Sequence, residues 1–212
     1  MPVFTVVAGP NGAGKSTFST FFSRPGTLIF DPDIEKFKIE KQFPDIAEEA
    51  LESAVNRVYL NFQTKALGTG LHLTVETNLR NDFLSESAEL FKSAGYETRL
   101  IYLLLPDIAA SMDRVALRVK QKGHFVDAAS IKINFEQGPQ NMLKISNYFD
   151  GVMLLSGINS NLAINTQPQL LLTLKNGKVV FKEQLIPDWC KDMVEFTEVA
   201  VANEQKPNRP KR

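Results

Sequence analysis

The chain opens on an unbroken apolar stretch, Val3-Phe4-Thr5-Val6-Val7-Ala8, which predicts a strand covered on both faces. Similar short runs recur: Thr27 to Phe30, Leu71 to Val75, Thr98 to Leu105 and Gly151 to Leu155. Between them the apolar positions change to helical spacing. Ile46 to Leu67 places Ile46, Ala50, Val55, Val58, Tyr59 and Phe62 on one face and stops at Gly68-Thr69-Gly70. Asp82 to Ala94, Asp107 to Lys120 and Asp127 to Asn147 read as further helices, the last one kinked or split at Gly138-Pro139. After residue 165 the pattern turns to alternation: Leu170 to Leu174 and Lys178 to Lys182 flank Asn176-Gly177, a strong hairpin signal. A short helix is expected over Pro187 to Phe196, and Asn203 to Arg212 reads as a disordered tail.

Strands alternating with helices predict right-handed crossovers and a parallel sheet with helices on both faces. The expected fold class is therefore α/β, with helix layers on both faces of a central sheet. Its mostly parallel sheet has five strands, with a C-terminal β-hairpin in addition. The expected organisation is a P-loop domain over 1–165, a hairpin and helix packed on it over 166–200, and a tail over 201–212. In such a sheet the ligand crevice lies beyond the carboxyl ends of the strands.

The segment after the first strand gives that crevice a chemistry. Gly9, Pro10, Asn11, Gly12, Ala13, Gly14, Lys15, Ser16 and Thr17 satisfy G-x-x-x-x-G-K-[ST] in a strand–loop–helix context. Glycines let the backbone wrap a phosphate chain, Lys15 brings a point charge to the β- and γ-phosphates, and the Ser16 hydroxyl is a Mg²⁺ ligand. ATP and Mg²⁺ are the expected cofactors. The loops after the second and third strands add Asp31, Asp33, Glu76 and Asn78 to the same edge. Asp33 is the candidate base for an acceptor hydroxyl. Asp31 either holds a metal-bound water or caps the next helix. Glu76 either orients metal water or grips the acceptor. Arg114 and Arg118, four apart on one helix, are candidates to stabilise the migrating phosphoryl group. Lys122-Gly123-His124 behind them reads as a lid in which His124 contacts substrate. Asn159 and Asn161 are candidates for base contacts by position alone.

Composition limits the partners. With 24 basic and 24 acidic residues the chain has no global attraction for nucleic acid or an anionic membrane, which argues against a polynucleotide-end kinase. The single Cys190 excludes an internal disulfide and fits a reducing cytoplasm. No stretch approaches the length of a membrane span, and no signal peptide is read at the N-terminus. An ABC-type ATPase is disfavoured because the chain has no Leu-Ser-Gly-Gly-Gln-like signature downstream of the loop.

Taken in order, GPNGAGKST, Asp-Pro-Asp-Ile, Val-Glu-Thr-Asn-Leu, Gly95-Tyr96-Glu97-Thr98, an apolar strand ending in Pro106, Arg-x-x-x-Arg and Gly-His resemble the zeta-toxin-like P-loop kinases from about Val3 to about Leu155. The resemblance implies a three-layer P-loop NTPase fold of nucleotide-kinase type and an ATP-dependent kinase whose acceptor, in toxins of that family, is a hydroxyl of a UDP-N-acetylamino sugar, and it implies an antitoxin protein as partner. Carried over, Lys15 and Ser16 match the phosphate-loop pair, Asp33 the base, Glu76 and Asn78 substrate contacts, and Arg118, with Arg114, the phosphate-stabilising arginine. The chain departs from the pattern at Ile131-Lys132-Ile133-Asn134-Phe135, where relatives carry arginines before an aromatic. There the missing arginine would be replaced by Lys132 or Lys122. A nucleotide-gated binding protein with little catalysis is the alternative that this departure favours.

Overall fold

A computed structural model describes residues 1–120, 125–157 and 168–203. Seven strands form one sheet: β1 (Val3–Ala8), β2 (Leu28–Phe30), β3 (Leu73–Thr77), β4 (Glu97–Leu104), β5 (Gly151–Ser156), β6 (Gln169–Lys175) and β7 (Lys178–Lys182), in the order β2-β3-β1-β4-β5-β6-β7. The first five are parallel neighbours, and β6 and β7 continue the sheet antiparallel. The predicted hairpin is thus an extension of the central sheet.

Successive residues of β4 show why both faces must be covered. Leu100, Tyr102 and Leu104 join the larger core with Phe4, Val6 and Leu154. Ile101, Leu103 and Leu105 join a smaller one on the other face with Val7, Ala13 and Leu155. Phe4 and Phe91 are both fully buried and stack with ring centroids 4.3 Å apart.

Helices α1 (Lys15–Phe22), α2 (Pro32–Gln42), α3 (Glu48–Thr69), α4 (Leu84–Ser93), α5 (Ile108–Lys120), α6 (Ala128–Ile145) and α7 (Lys191–Asn203) complete the three layers. The hydrophobic pattern does not delineate α2, and the reason is visible: the helix buries none of its residues, so no apolar stripe marks it. Its signal is chemical. Asp31 accepts from the N–H groups of Asp33 and Ile34, and Pro32 occupies the first turn.

Helix α6 runs through Pro139 as one element, so of the expected kink or split the split does not occur. Gly138, just before the proline, lies against β4. A Cβ on it would stand 2.6 Å from the Tyr102 hydroxyl and 3.0 Å from the Asn78 carbonyl oxygen. The last helix also extends past Phe196 to Asn203, and residues 204–212 of the expected tail lie outside the described residues.

The buried ring stack predicts where stability resides. Phe91→Ala should lower unfolding free energy by about 3–5 kcal/mol through lost burial and a residual cavity. Val180→Ala, on an exposed part of β7, should change it by less than about 0.5 kcal/mol. Urea unfolding followed by fluorescence and circular dichroism compares the two.

Candidate functional site

Parallel pairing of β3 with β1, and of β2 with β3, brings three loops to one edge of the sheet. The loop after β1 is shaped by glycines that cannot be replaced. Gly9 has φ 148°, and a Cβ there would lie 2.6 Å from the Leu103 carbonyl oxygen; at Gly12 (φ 77°) a Cβ would lie 2.8 Å from the Arg114 Cβ. Helix α5 braces this loop from above. The Ser111 hydroxyl donates to the Asn11 carbonyl at 2.6 Å, and Arg114 donates to the Gly12 carbonyl at 3.1 Å.

Lys15 turns back over the loop. Its ammonium donates to the carbonyls of Gly9 (2.9 Å) and Pro10 (3.1 Å) and to Asn78 Oδ1 (2.7 Å). Burial lowers its pKa to about 8, although Asp33, Glu76 and Asp31 pull in the opposite direction. Half-buried Arg118 opposes them, adding its own positive charge beside the lysine.

Glu76 is buried within β3, one residue before the strand ends, and not in the loop beyond it. It accepts from the Ser16 hydroxyl at 2.7 Å and also from the Ser19 hydroxyl. Burial raises the Glu76 carboxyl above the ordinary range, and Asp31 adds to this, while the two serine bonds and Lys15 oppose it. Ser16 Oγ also stands 3.4 Å from Asp31 Oδ2. Of the two roles open for Asp31 and Glu76, the hydrogen bonds put both carboxylates beside the Ser16 hydroxyl. Asp31 caps α2 with its other oxygen.

The set of Ser16, Asp31 and Glu76 is all oxygen and carries up to two negative charges. That chemistry fits Mg²⁺, which uses one or two carboxylates and takes its remaining ligands from phosphates and water. Among the described residues no group of three or more His, Cys, Asp or Glu could hold a metal unaided.

These side chains surround a cavity of about 510 Å³ whose lining includes Lys15, Asp31, Asp33, Glu76, Arg114 and Arg118. Asn11, Gly12, Gly14, Ser16, Thr17 and Asn78 line it too, so most of the predicted positions share one space. The shared face expected for Arg114 and Arg118 is present, both being half-buried on α5. Lys132 does not replace a missing arginine at this cavity. It is solvent-exposed and lies 4.0 Å from Glu136. His124 and Lys122 of the expected lid, like Asn159 and Asn161, lie outside the described residues.

Several participants carry no sequence motif. Ser19 is buried and holds Glu76. Asn134 donates to Asn11 Oδ1 at 2.6 Å and accepts from Arg80, linking α6 to both loops. Leu79, buried and at φ 58°, shapes the turn that places Asn78 and Arg80 on either side of it. The one signal available was spacing: Ser19 falls one turn after Ser16, on the same face of α1.

Comparison with known proteins agrees with this architecture. A chain of the PezAT chromosomal toxin–antitoxin system of Streptococcus pneumoniae superposes with a TM-score of 0.56 at 18% identity, over 96% of this chain and 87% of that one. The AvrRxo1-ORF1:-ORF2 structure with ATP gives a TM-score of 0.62 at 12% identity, over 96% of this chain and 76% of that one. At such identities the likeness is one of fold. An uncharacterised protein of Haemophilus influenzae is 24% identical over 128 residues, which is 60% of this chain and 88% of its own length. The family model described as AAA domain matches residues 4–134, a stretch that contains the phosphate loop, both acid-bearing loops and the arginine helix; the chain therefore belongs to the AAA domain family, on a P-loop kinase-like fold.

Proposed function

We propose that the chain is a kinase that moves the γ-phosphoryl group of ATP to a hydroxyl of a small acceptor. The observation that carries this reading is the convergence of the Lys15 ammonium, the Ser16 hydroxyl and the Asp33 carboxylate on one cavity beside two arginines. Phosphoryl transfer requires positioning and charge neutralisation more than covalent chemistry. The loop amides and Lys15 hold the phosphates, and Arg114 and Arg118 face the charge that spreads over the transferred group. Mg²⁺, held through Ser16 with Asp31 and Glu76 behind it, would neutralise the β- and γ-oxygens. Asp33 is half-buried at the first turn of α2, on the acceptor side of the cavity, where it orients the acceptor hydroxyl and takes its proton.

The resemblance to zeta-toxin-like kinases, and the likeness in fold to the PezAT chain, make that family the natural place to seek relatives in function. A UDP-N-acetylamino sugar is the acceptor that the resemblance implies, and an antitoxin is the partner. A second reading, a nucleotide-dependent binding protein, is favoured by one observation. The sheet ends on β7, every residue of which is exposed, including Val179, Val180 and Phe181. No helix among the described residues is long and apolar enough to cross a membrane.

Three outcomes test the main reading. Asp33→Asn should keep ATP affinity while lowering acceptor-dependent ADP release by about 10²–10⁴-fold, whereas Lys15→Ala should lose nucleotide binding itself. Calorimetry beside a coupled ADP assay separates the two; unchanged turnover in Asp33→Asn removes the base. Ser19→Ala should raise the Mg²⁺ concentration for half-maximal activity by about 10-fold, as expected when the partner that orients a metal-associated carboxylate is lost. The third outcome concerns pH. Lys15 titrates at about 8 and must be protonated to meet a triphosphate, so affinity should be full well below pH 8 and decline as pH rises through it. Binding at pH 9 should take up a proton, measured as heat that varies with the ionisation enthalpy of the buffer.

A further inference from the structure

The acceptor side of the site has its own charge pattern, which bears on what it can receive. Next to the phosphate cavity, and sharing Asn11, Asp33 and Asn78 with it, is a cleft of about 570 Å³ between α2, α3 and the start of α6. Among the described residues its charged lining is Asp33, Glu40, Glu52 and Asp127 against Lys36 and Arg80. Both cations already have partners. Lys36 is 3.1 Å from Glu48, and Arg80 donates to Asn134. A diphosphate entering here would face more fixed negative charge than positive, in a partly enclosed space where the repulsion is screened less than in bulk water.

A second recess of about 450 Å³ opens beside this cleft, sharing Pro32, Val55 and Thr77 with it. Its walls are mostly apolar: Phe30, Tyr59, Leu60 and Phe83, with Glu76 the only charged side chain among its lining residues. Tyr59 turns its hydroxyl away to bond Ser87 at 2.7 Å, and its ring packs against Phe30 and Phe83 with centroids 5.3 and 5.9 Å away. A recess of that kind takes a non-polar portion of a ligand.

Resting on the kinase reading above, we infer that the acceptor is a phosphate-free alcohol, uncharged or amine-bearing, with an apolar portion seated in the ring-lined recess. Its hydroxyl reaches Asp33 from the acid-rich cleft. In the transfer the acceptor oxygen forms a bond to the γ-phosphorus as the bond from that phosphorus to the β–γ bridging oxygen breaks. ADP leaves with that bond pair, and Asp33 receives the hydroxyl proton. The charge of this lining disfavours a nucleoside diphosphate sugar, which sets this acceptor apart from the one the family resemblance implies.

The test uses the full chain, magnesium and ATP labelled in the γ-phosphate. Metabolites of a cell extract are passed at neutral pH over a strong anion exchanger. Flow-through and retained fractions are then offered as acceptors beside pure UDP-N-acetylglucosamine. Label should move to a compound of the flow-through, with UDP-N-acetylglucosamine at background. Label moving to a retained compound or to UDP-N-acetylglucosamine overturns the inference while leaving the kinase intact. If label moves to none of these, the kinase reading falls and the inference falls with it. For an amine-bearing flow-through acceptor, the double variant Glu40→Lys, Glu52→Lys should raise KM by about 10-fold or more with ATP affinity unchanged, and for an uncharged one Leu60→Asp, in the wall of the recess, should do the same. Glu52→Lys alone, at an exposed position, should raise it in the same direction if the double variant does not fold. An unchanged KM shows that the acceptor does not meet this wall and overturns the assignment.

Discussion

The bonds from Ser16 and Ser19 to Glu76 tie the first two turns of α1 to β3, the strand next to the β2 edge of the sheet. Everything else at the site is arranged around that attachment. It fixes the axis of the helix whose N-terminal amides close the phosphate loop, and it keeps a carboxylate where water would otherwise be excluded without compensation. Burial resists the charge on Glu76, and the two hydroxyls together with the Lys15 ammonium sustain it. A cation beside this carboxylate would offset the cost of its burial, just as an anion beside Lys15 would offset the cost of burying the ammonium.

Much of this was legible in the sequence because it depends on short-range rules. The phosphate loop, four of the strand–helix units and the hairpin turn at Asn176-Gly177 are dictated by glycine placement and apolar period, and the structure carries each of them. Helix α2 escaped because Ile34, Phe37 and Ile39 form no buried apolar stripe; only the Asp31 cap and Pro32 announce it. The fate of the hairpin was illegible for a different reason. Alternation identifies two strands, but whether they stand alone or pair with β5 depends on contacts far apart in sequence, such as Leu154 opposite Leu172. Glu76 was read as following its strand when it is the fourth residue of it. That shift of two residues converts a loop acid into a buried one. The roles of Ser19, Asn134 and Arg80 come entirely from tertiary proximity, since each meets its partner across at least 54 residues.

Leu79 shows how the wall between the two cavities is held. A leucine at φ 58° is costly, by about 1–3 kcal/mol, and it persists because its side chain is buried and both of its backbone groups are bonded. Its N–H donates to the Thr77 hydroxyl at 2.8 Å and its carbonyl accepts from Asn141 at 2.9 Å. The turn so formed sends Asn78 towards Lys15 and Arg80 towards Asn134. One strained residue therefore separates the wall that holds Lys15 from the wall of the neighbouring cleft.

Gly138 gives the architecture a dimension that no side chain at the site controls. The Tyr102 hydroxyl that it abuts has no hydrogen-bond partner among the described residues, so no polar contact would reward a larger gap between helix and sheet. One turn earlier on the same helix stands Asn134, whose amide reaches the phosphate loop through Asn11. Adding even a methyl at 138 would lift this stretch of α6 off β4 and draw Asn134 away with it. The spacing between two structural layers, set by a missing Cβ, thereby becomes a calibration of how firmly the nucleotide loop is braced.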